Sequence, residues 1–145
     1  MYSAVTAVQY INNADDEARG MVNNPFSVEA NDLRPKLTWK GDGPFAGDVT
    51  VYNFNLYTGA SLKRNAGSAS FTCYYNYNEH AFCEAYYEFN GSTGTVLASG
   101  PVNFNDTGFT LIVTGGTDKE IAARGEVEET AAAKHAQRVS FMFIN

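Results

Sequence analysis

Apolar and polar residues alternate with a period of two along most of this chain, a spacing that predicts strands rather than helices. The clearest stretch is 69–77, where Ala69, Phe71, Cys73, Tyr75 and Tyr77 share one face and Ser70, Thr72 and Asn76 the other. Residues 49–56 repeat the pattern, with Val49 and Val51 opposed to Tyr52, Phe54 and Leu56. A first strand is predicted over 4–11, and others over 81–89, 94–104, 108–113, 121–128 and 137–144. Short turns at Asn78-Glu79, Asn90-Gly91, Asn105-Asp106 and Gly115-Gly116 separate them. About eight short strands with polar and glycine turns predict an all-β antiparallel barrel or sandwich. Eight is also the number at which a closed barrel can hold one small ligand. The apolar end, Val139 to Ile144, would be an aggregating edge unless it pairs with the first strand or with a subunit.

Two segments break the alternation. Residues 130–136 are alanine-rich but too short for more than a turn or two of helix, so a loop is expected there. Residues 12–48 mix turn formers with Phe26, Val28, Leu33, Leu37, Trp39 and Phe45. A loop of that length in a small domain is functional or disordered, and its apolar content argues against disorder. It reads as a flap over one mouth of the barrel, with a further strand near Lys36 to Lys40 as the alternative.

The Gly115-Gly116 pair admits two readings. Beside threonines it could cradle a phosphate, but that needs a helix to follow with its amides aimed at the anion. Asp118 to Arg124 leads within a few residues to Gly125, so a hairpin turn is the better reading.

Composition narrows the class. The chain has 145 residues, which suits a single domain, and a net charge of −6, which opposes nucleic acid and anionic membranes as partners. No apolar run is long enough to span a membrane. The start lacks a basic segment followed by an apolar core, so a cytoplasmic location is expected, with export of a trimmed precursor as the alternative. His80 and His135 are the only histidines and have no metal-ligand spacing. Asp15-Asp16-Glu17 lacks the glycine-bearing spacing of a cation loop and reads as a solvated turn. No nucleophile elbow and no glycine fingerprint opening a helix is present. The sequons at Asn90 and Asn105 read as turn chemistry. Neither a metal nor a cofactor is expected.

Cys73 and Cys83 flank one turn. With an odd number of turn residues they face each other and could form a cross-strand disulfide. With a two-residue turn Cys73 opposes Glu84 instead, and Cys83 points to the other side. The more apolar face, Cys83, Ala85, Tyr87 and Phe89, favours the odd turn. Two buried thiols remain the plainer alternative to a disulfide. The other resource is aromatic: nine Tyr, ten Phe and one Trp. Most would fill a core, yet a small barrel has limited room and both faces of the 69–89 hairpin carry tyrosines. A lumen of Tyr and Phe would suit a hydrophobic, unsaturated ligand with a few polar groups.

Four segments, in order, also resemble a known family. Val113 to Thr117 with Ala122 to Val127 (VTGGT…AARGEV) resembles the VTGGTG-x-[FY]-x-x-A-x-G segment of allene oxide cyclases, plant dirigent proteins and their bacterial barrel relatives. Asn90 to Gly100 resembles the dirigent hairpin, and Gly47 to Gly59 the cyclase segment GDLVPF…LYTG. Gly67 to Cys73 resembles that family's strand ending in cysteine. Asp118 and Glu120 stand where the family has a glycine and an aromatic. The resemblance implies an allene-oxide-cyclase-like barrel with a lumen containing Tyr10, Asn12, Phe54, Cys73 and Phe82. The Phe82 position implies the two-residue turn. In the plant cyclases the first strand carries the pattern E-I-N, whereas this chain has Tyr10-Ile11-Asn12. A phenol supplies no fixed charge at neutral pH. The resemblance therefore points away from allene oxide cyclisation and toward the bacterial barrel cyclases that catalyse intramolecular [4+2] cycloadditions.

The expected function is ring closure of a hydrophobic polyene- or polyketide-like intermediate held in the lumen. Tyr10 is the expected hydrogen-bond donor, with Glu84 as a second if the turn has two residues and a solvated outward Glu84 if it does not. Asn12, Trp39, Tyr52, Phe54, Phe71, Cys73, Tyr75, Phe82 and Tyr86 are the expected substrate contacts. A homo-oligomer, dimer or trimer, is expected. The alternative function is a dirigent-like or carrier protein that binds a hydrophobic molecule without converting it.

Overall fold

Eight antiparallel strands close on themselves in chain order, β1 (Tyr2–Ile11), β2 (Val49–Tyr57), β3 (Asn65–Tyr75), β4 (His80–Phe89), β5 (Thr95–Asn103), β6 (Gly108–Gly116), β7 (Gly125–Ala131) and β8 (Ala136–Phe143). The computed structural model describes residues 1–13, 44–76, 80–132 and 136–144. The flap, the alternative strand near Lys36, and with them Phe26 and Trp39, lie outside the described residues. The closed barrel is one of the two architectures that the alternation predicts, and the one that the resemblance implies. In β3 the buried positions are Gly67, Ala69, Phe71, Cys73 and Tyr75, and the residues between them face out. One core fills the interior, built from Phe54, Leu56, Phe71, Tyr75, Tyr87, Val96, Leu111, Val113, Val127 and Val139 with inward alanines at 69, 81, 85 and 98. Burying each large side chain contributes about 1.5–3 kcal/mol, which is what holds so short a set of strands closed.

Register decides what the hairpin between β3 and β4 shows to the lumen. Tyr75 pairs with Ala81 and Cys73 with Cys83, so the connection 76–80 is odd, as the apolar face of β4 suggested. The two cysteines form a disulfide across the strands, with Cα atoms 4.1 Å apart. Residues directly opposite in a ladder point to the same side. Cys83, Ala85 and Tyr87 therefore face the core, and Phe82, Glu84 and Tyr86 face outward and are exposed. This corrects the lumen positions expected for Phe82, Glu84 and Tyr86. The physical reason is a one-residue choice of register: the alternative would have moved an unpaired carboxylate into the core and two alanines and a tyrosine out of it.

Two further expectations change. The Gly115-Gly116 pair ends β6 instead of forming a tight hairpin, and the chain leaves through a 3-10 turn at Asp118–Glu120 before β7 begins at Gly125. At Gly116 a Cβ would lie 2.3 Å from the Glu120 carbonyl oxygen and 2.6 Å from that of Thr95, so a side chain has no room there. Strand β7 thus runs over Gly125–Ala131, not over 121–128.

Closure is uneven. Strand β1 pairs with β2 along its length but with β8 only through Tyr2↔Arg138, Ser3↔Gln137 and Ala4↔Ala136. Beyond Ala4, β1 and the strand ends beside it project past β8 and form a rim. A bulge between Val5 and Ala7 shifts the register there, so that Val8 opposes Tyr52 and Tyr10 opposes Thr50. The bulge turns Val8 and Tyr10 onto the concave side of the rim.

Candidate functional site

The interior is a continuous column of aromatic rings. Tyr52 stacks on Phe54 at 5.9 Å between centroids, and Phe54 meets Phe71 edge-on at 5.1 Å. Phe71 in turn meets Tyr87 at 5.8 Å and Phe109 at 6.0 Å, and Tyr87 meets Phe141 at 5.0 Å. All of these side chains come from inward positions of β2, β3, β4, β6 and β8. Edge-to-face pairs of this kind stabilise by about 0.5–1.5 kcal/mol beyond the area they bury.

At the rim, Tyr10 lies 6.0 Å from Tyr75, whose ring is 5.4 Å from Phe104. The Tyr10 hydroxyl donates to Asp48 Oδ2, and the Asn13 backbone N–H donates to Asp48 Oδ1 at 2.8 Å. Asp48 is fully buried and also accepts from the Phe45 N–H at 3.3 Å, while its own carbonyl accepts from the Tyr75 N–H at 2.9 Å. Burial and the Asp48 carboxylate together push the Tyr10 phenol above the ordinary tyrosine value, so it keeps its proton and donates it in the hydrogen bond to Asp48. Deeper in, the Thr50 hydroxyl donates to the Tyr75 hydroxyl at 3.0 Å. Burial, then the neighbouring Tyr75, also push the Tyr52 phenol upward.

The residue that the alternation missed is Glu129. It is 1% exposed, on an inward position of β7, between Phe109 on β6 and Val139 on β8. The Tyr87 hydroxyl donates to its Oε1 at 2.8 Å, and its Oε2 has no hydrogen-bond partner among the described residues. Burial pushes the Glu129 carboxyl up to about 7, against the opposing effect of the Tyr87 hydrogen bond. Burial and the Glu129 charge raise the Tyr87 phenol as well, so Tyr87 is a fixed donor. A carboxyl poised near neutrality can lend or take a proton at physiological pH. The signal was present: Val127 is an inward apolar residue, and a period of two carries inward to Glu129. A strand expected to end at 128 hid it.

The expected site residues separate accordingly. Phe54, Phe71, Cys73 and Tyr75 converge in the core, with Cys73 tied to Cys83. Tyr52 is partly buried against that core, and Tyr10 sits on the rim at 38% exposure. Asn12 is exposed just past the end of β1. Glu84 and Tyr86 line an outer groove with Ser70, Thr72, Leu97 and Ser99, away from the lumen.

No family model matches the sequence, and no curated protein does. Among solved structures the chain is similar to a pyocyanin demethylase, at 15% identity over 97% of this chain and 98% of that one, with a TM-score of 0.60. At that identity the likeness shows the shared barrel fold. The motif resemblance to allene oxide cyclases is neither extended nor replaced by it.

Proposed function

We propose that the barrel binds a hydrophobic, unsaturated small molecule in its interior and closes it into a ring. The carrying observation is the aromatic column that leads from the rim at Tyr52 to the buried Tyr87–Glu129 pair. The rings face the short side chains Ala81, Ala85 and Ala98 on the β4–β5 wall, and this reading requires the substrate to be accommodated between them. Ring closure by cycloaddition is an isomerisation: π bonds are exchanged for σ bonds, and nothing is added or lost. Confinement of the reacting ends supplies much of the rate, and several kcal/mol of barrier lowering is attainable from it. A protonated Glu129 adds hydrogen-bond donation to a substrate carbonyl, the part expected of Glu84 from sequence. Tyr10 is a poor donor to substrate because its hydroxyl already donates to Asp48. A pyocyanin demethylase also acts on a small molecule, which supports the general class without bearing on the reaction.

The carrier reading has one observation in its favour: with Tyr10 engaged and Cys73 in a disulfide, the described residues offer little acid–base chemistry in the lumen beyond Glu129. Turnover decides. Linear polyene ketones incubated with the protein are expected to yield a product of unchanged mass and new chromatographic mobility, faster than in buffer. Ala98→Phe, which fills the lumen from an inward position, is expected to abolish both uptake and product. Uptake without product would leave a carrier.

A further inference from the structure

Among the described residues, three buried side-chain oxygens or nitrogens have no hydrogen-bond partner: Ser3 Oγ, Gln137 Oε1 and Glu129 Oε2. They are not scattered. Ser3 on β1 pairs directly with Gln137 on β8. Glu129 on β7 pairs with Val139, two residues along β8 from Gln137 and on the same side of that strand. Ser3 pairs on its other flank with Leu56, which is fully buried, so this wall faces the core. Directly opposed ladder residues have Cβ atoms about 4.5–5.5 Å apart and diagonal ones lie about 7–8 Å apart, so the three side chains fall in one patch of wall.

An unsatisfied buried polar atom costs about 1–3 kcal/mol, and three side by side are an expensive arrangement for a wall that only has to pack. Leu, Val or Ala at these positions would remove that cost. The chemistry of the patch is specific. Glu129 Oε1 is occupied by the Tyr87 hydroxyl, which leaves Oε2 to carry the carboxyl proton and donate it. Gln137 Oε1 can only accept. The Ser3 hydroxyl can do either.

We propose that Ser3, Gln137 and Glu129 form a polar niche that docks the head group of the lumen ligand, a conjugated carbonyl bearing an adjacent N–H or O–H. The carbonyl oxygen accepts from Glu129, and the neighbouring donor is taken by Gln137 or Ser3. This inference rests on the reading of the lumen as a binding cavity and adds the substrate class: unsaturated amides, lactams or hydroxyenones rather than plain hydrocarbons. The same contact would polarise the conjugated system from its carbonyl end, where a ring-closing substrate responds to a donor.

Two probes of similar shape test it, trans-cinnamamide and trans-β-methylstyrene, titrated against the intact chain by calorimetry. The amide is expected to bind at least ~10-fold more tightly, the worth of roughly one well-placed hydrogen bond. Ser3→Ala and Glu129→Leu are each expected to shrink that preference and to leave the hydrocarbon's affinity unchanged. Ser3→Ala removes a single oxygen and carries the test if Glu129→Leu does not fold. Equal affinities in the parent protein would overturn the niche, its oxygens then being satisfied by water, while the lumen reading stands. A preference that survives in the variants would also overturn it. Failure of both probes to bind would overturn the lumen reading and the niche together.

Discussion

Glu129 and Tyr10 are the residues whose environments make the sharpest demands. An ordinary glutamate ionises near 4.5, whereas in the barrel Glu129 is pushed up to about 7. Between those values the unfolded chain has released the proton that the folded one still holds, so the stability contributed at this residue falls as pH rises through that window. Below it both states are protonated and the penalty vanishes; above it the penalty is complete. Glu129→Gln removes the titration and keeps the shape. Its stability relative to the parent is expected to be little changed at about pH 4 and to rise by on the order of 3 kcal/mol by about pH 8, measured by urea unfolding. Parallel pH profiles for the two proteins would show that Glu129 is not buried as described. Tyr10→Phe leaves the buried Asp48 without one of its donors and is expected to cost about 1–3 kcal/mol of stability. A variant of unchanged stability but lower turnover would instead assign the Tyr10 hydroxyl to substrate.

Elements add constraints that no single side chain carries. The Cys73–Cys83 bond closes the β3–β4 hairpin across a sequence separation of 10. Cross-linking a loop of that size stabilises by about 2–3 kcal/mol, so the double variant Cys73→Ala/Cys83→Ala is expected to unfold at correspondingly lower denaturant. Thiol titration of the unfolded, unreduced protein is expected to find no free cysteine. Such a bond persists in oxidising compartments. At the other end of the sheet, Gly125 opens β7 with φ +138°, and a Cβ there would lie 1.8 Å from the Met142 carbonyl oxygen on β8. Gly125→Ala is expected to cost about 3 kcal/mol or more, because backbone rather than a movable side chain stands in the way.

At the scale of the whole molecule, closure depends on a short seam. Only Tyr2, Ser3 and Ala4 pair with β8, with one further hydrogen bond from the Val139 N–H to the Met1 carbonyl at 2.8 Å. Deleting residues 1–4 would open the barrel, expose the inward side of β8 and remove Ser3 from the proposed niche. The truncated chain is expected to lose cooperative unfolding and near-ultraviolet dichroism from the aromatic column, while keeping most of its strand signal. Retention of a sharp transition would mean that the core orders without the β1–β8 seam.

Period-two alternation was legible in the sequence because a barrel wall has one dry and one wet face, and each strand records that division locally. The number of strands and the shared faces Tyr52–Phe54–Leu56 and Ala69–Phe71–Cys73–Tyr75 followed from it. Register did not, because a shift of one residue in a turn reverses every facing while leaving the pattern unchanged. That is why Phe82, Glu84 and Tyr86 face outward, and why Cys73 meets Cys83. The bulge before Ala7, the end of β7 at Ala131 and the burial of Glu129 were likewise decided in three dimensions, by which strands came to lie beside them. Sequence records a glutamate; only the closed barrel takes water away from it.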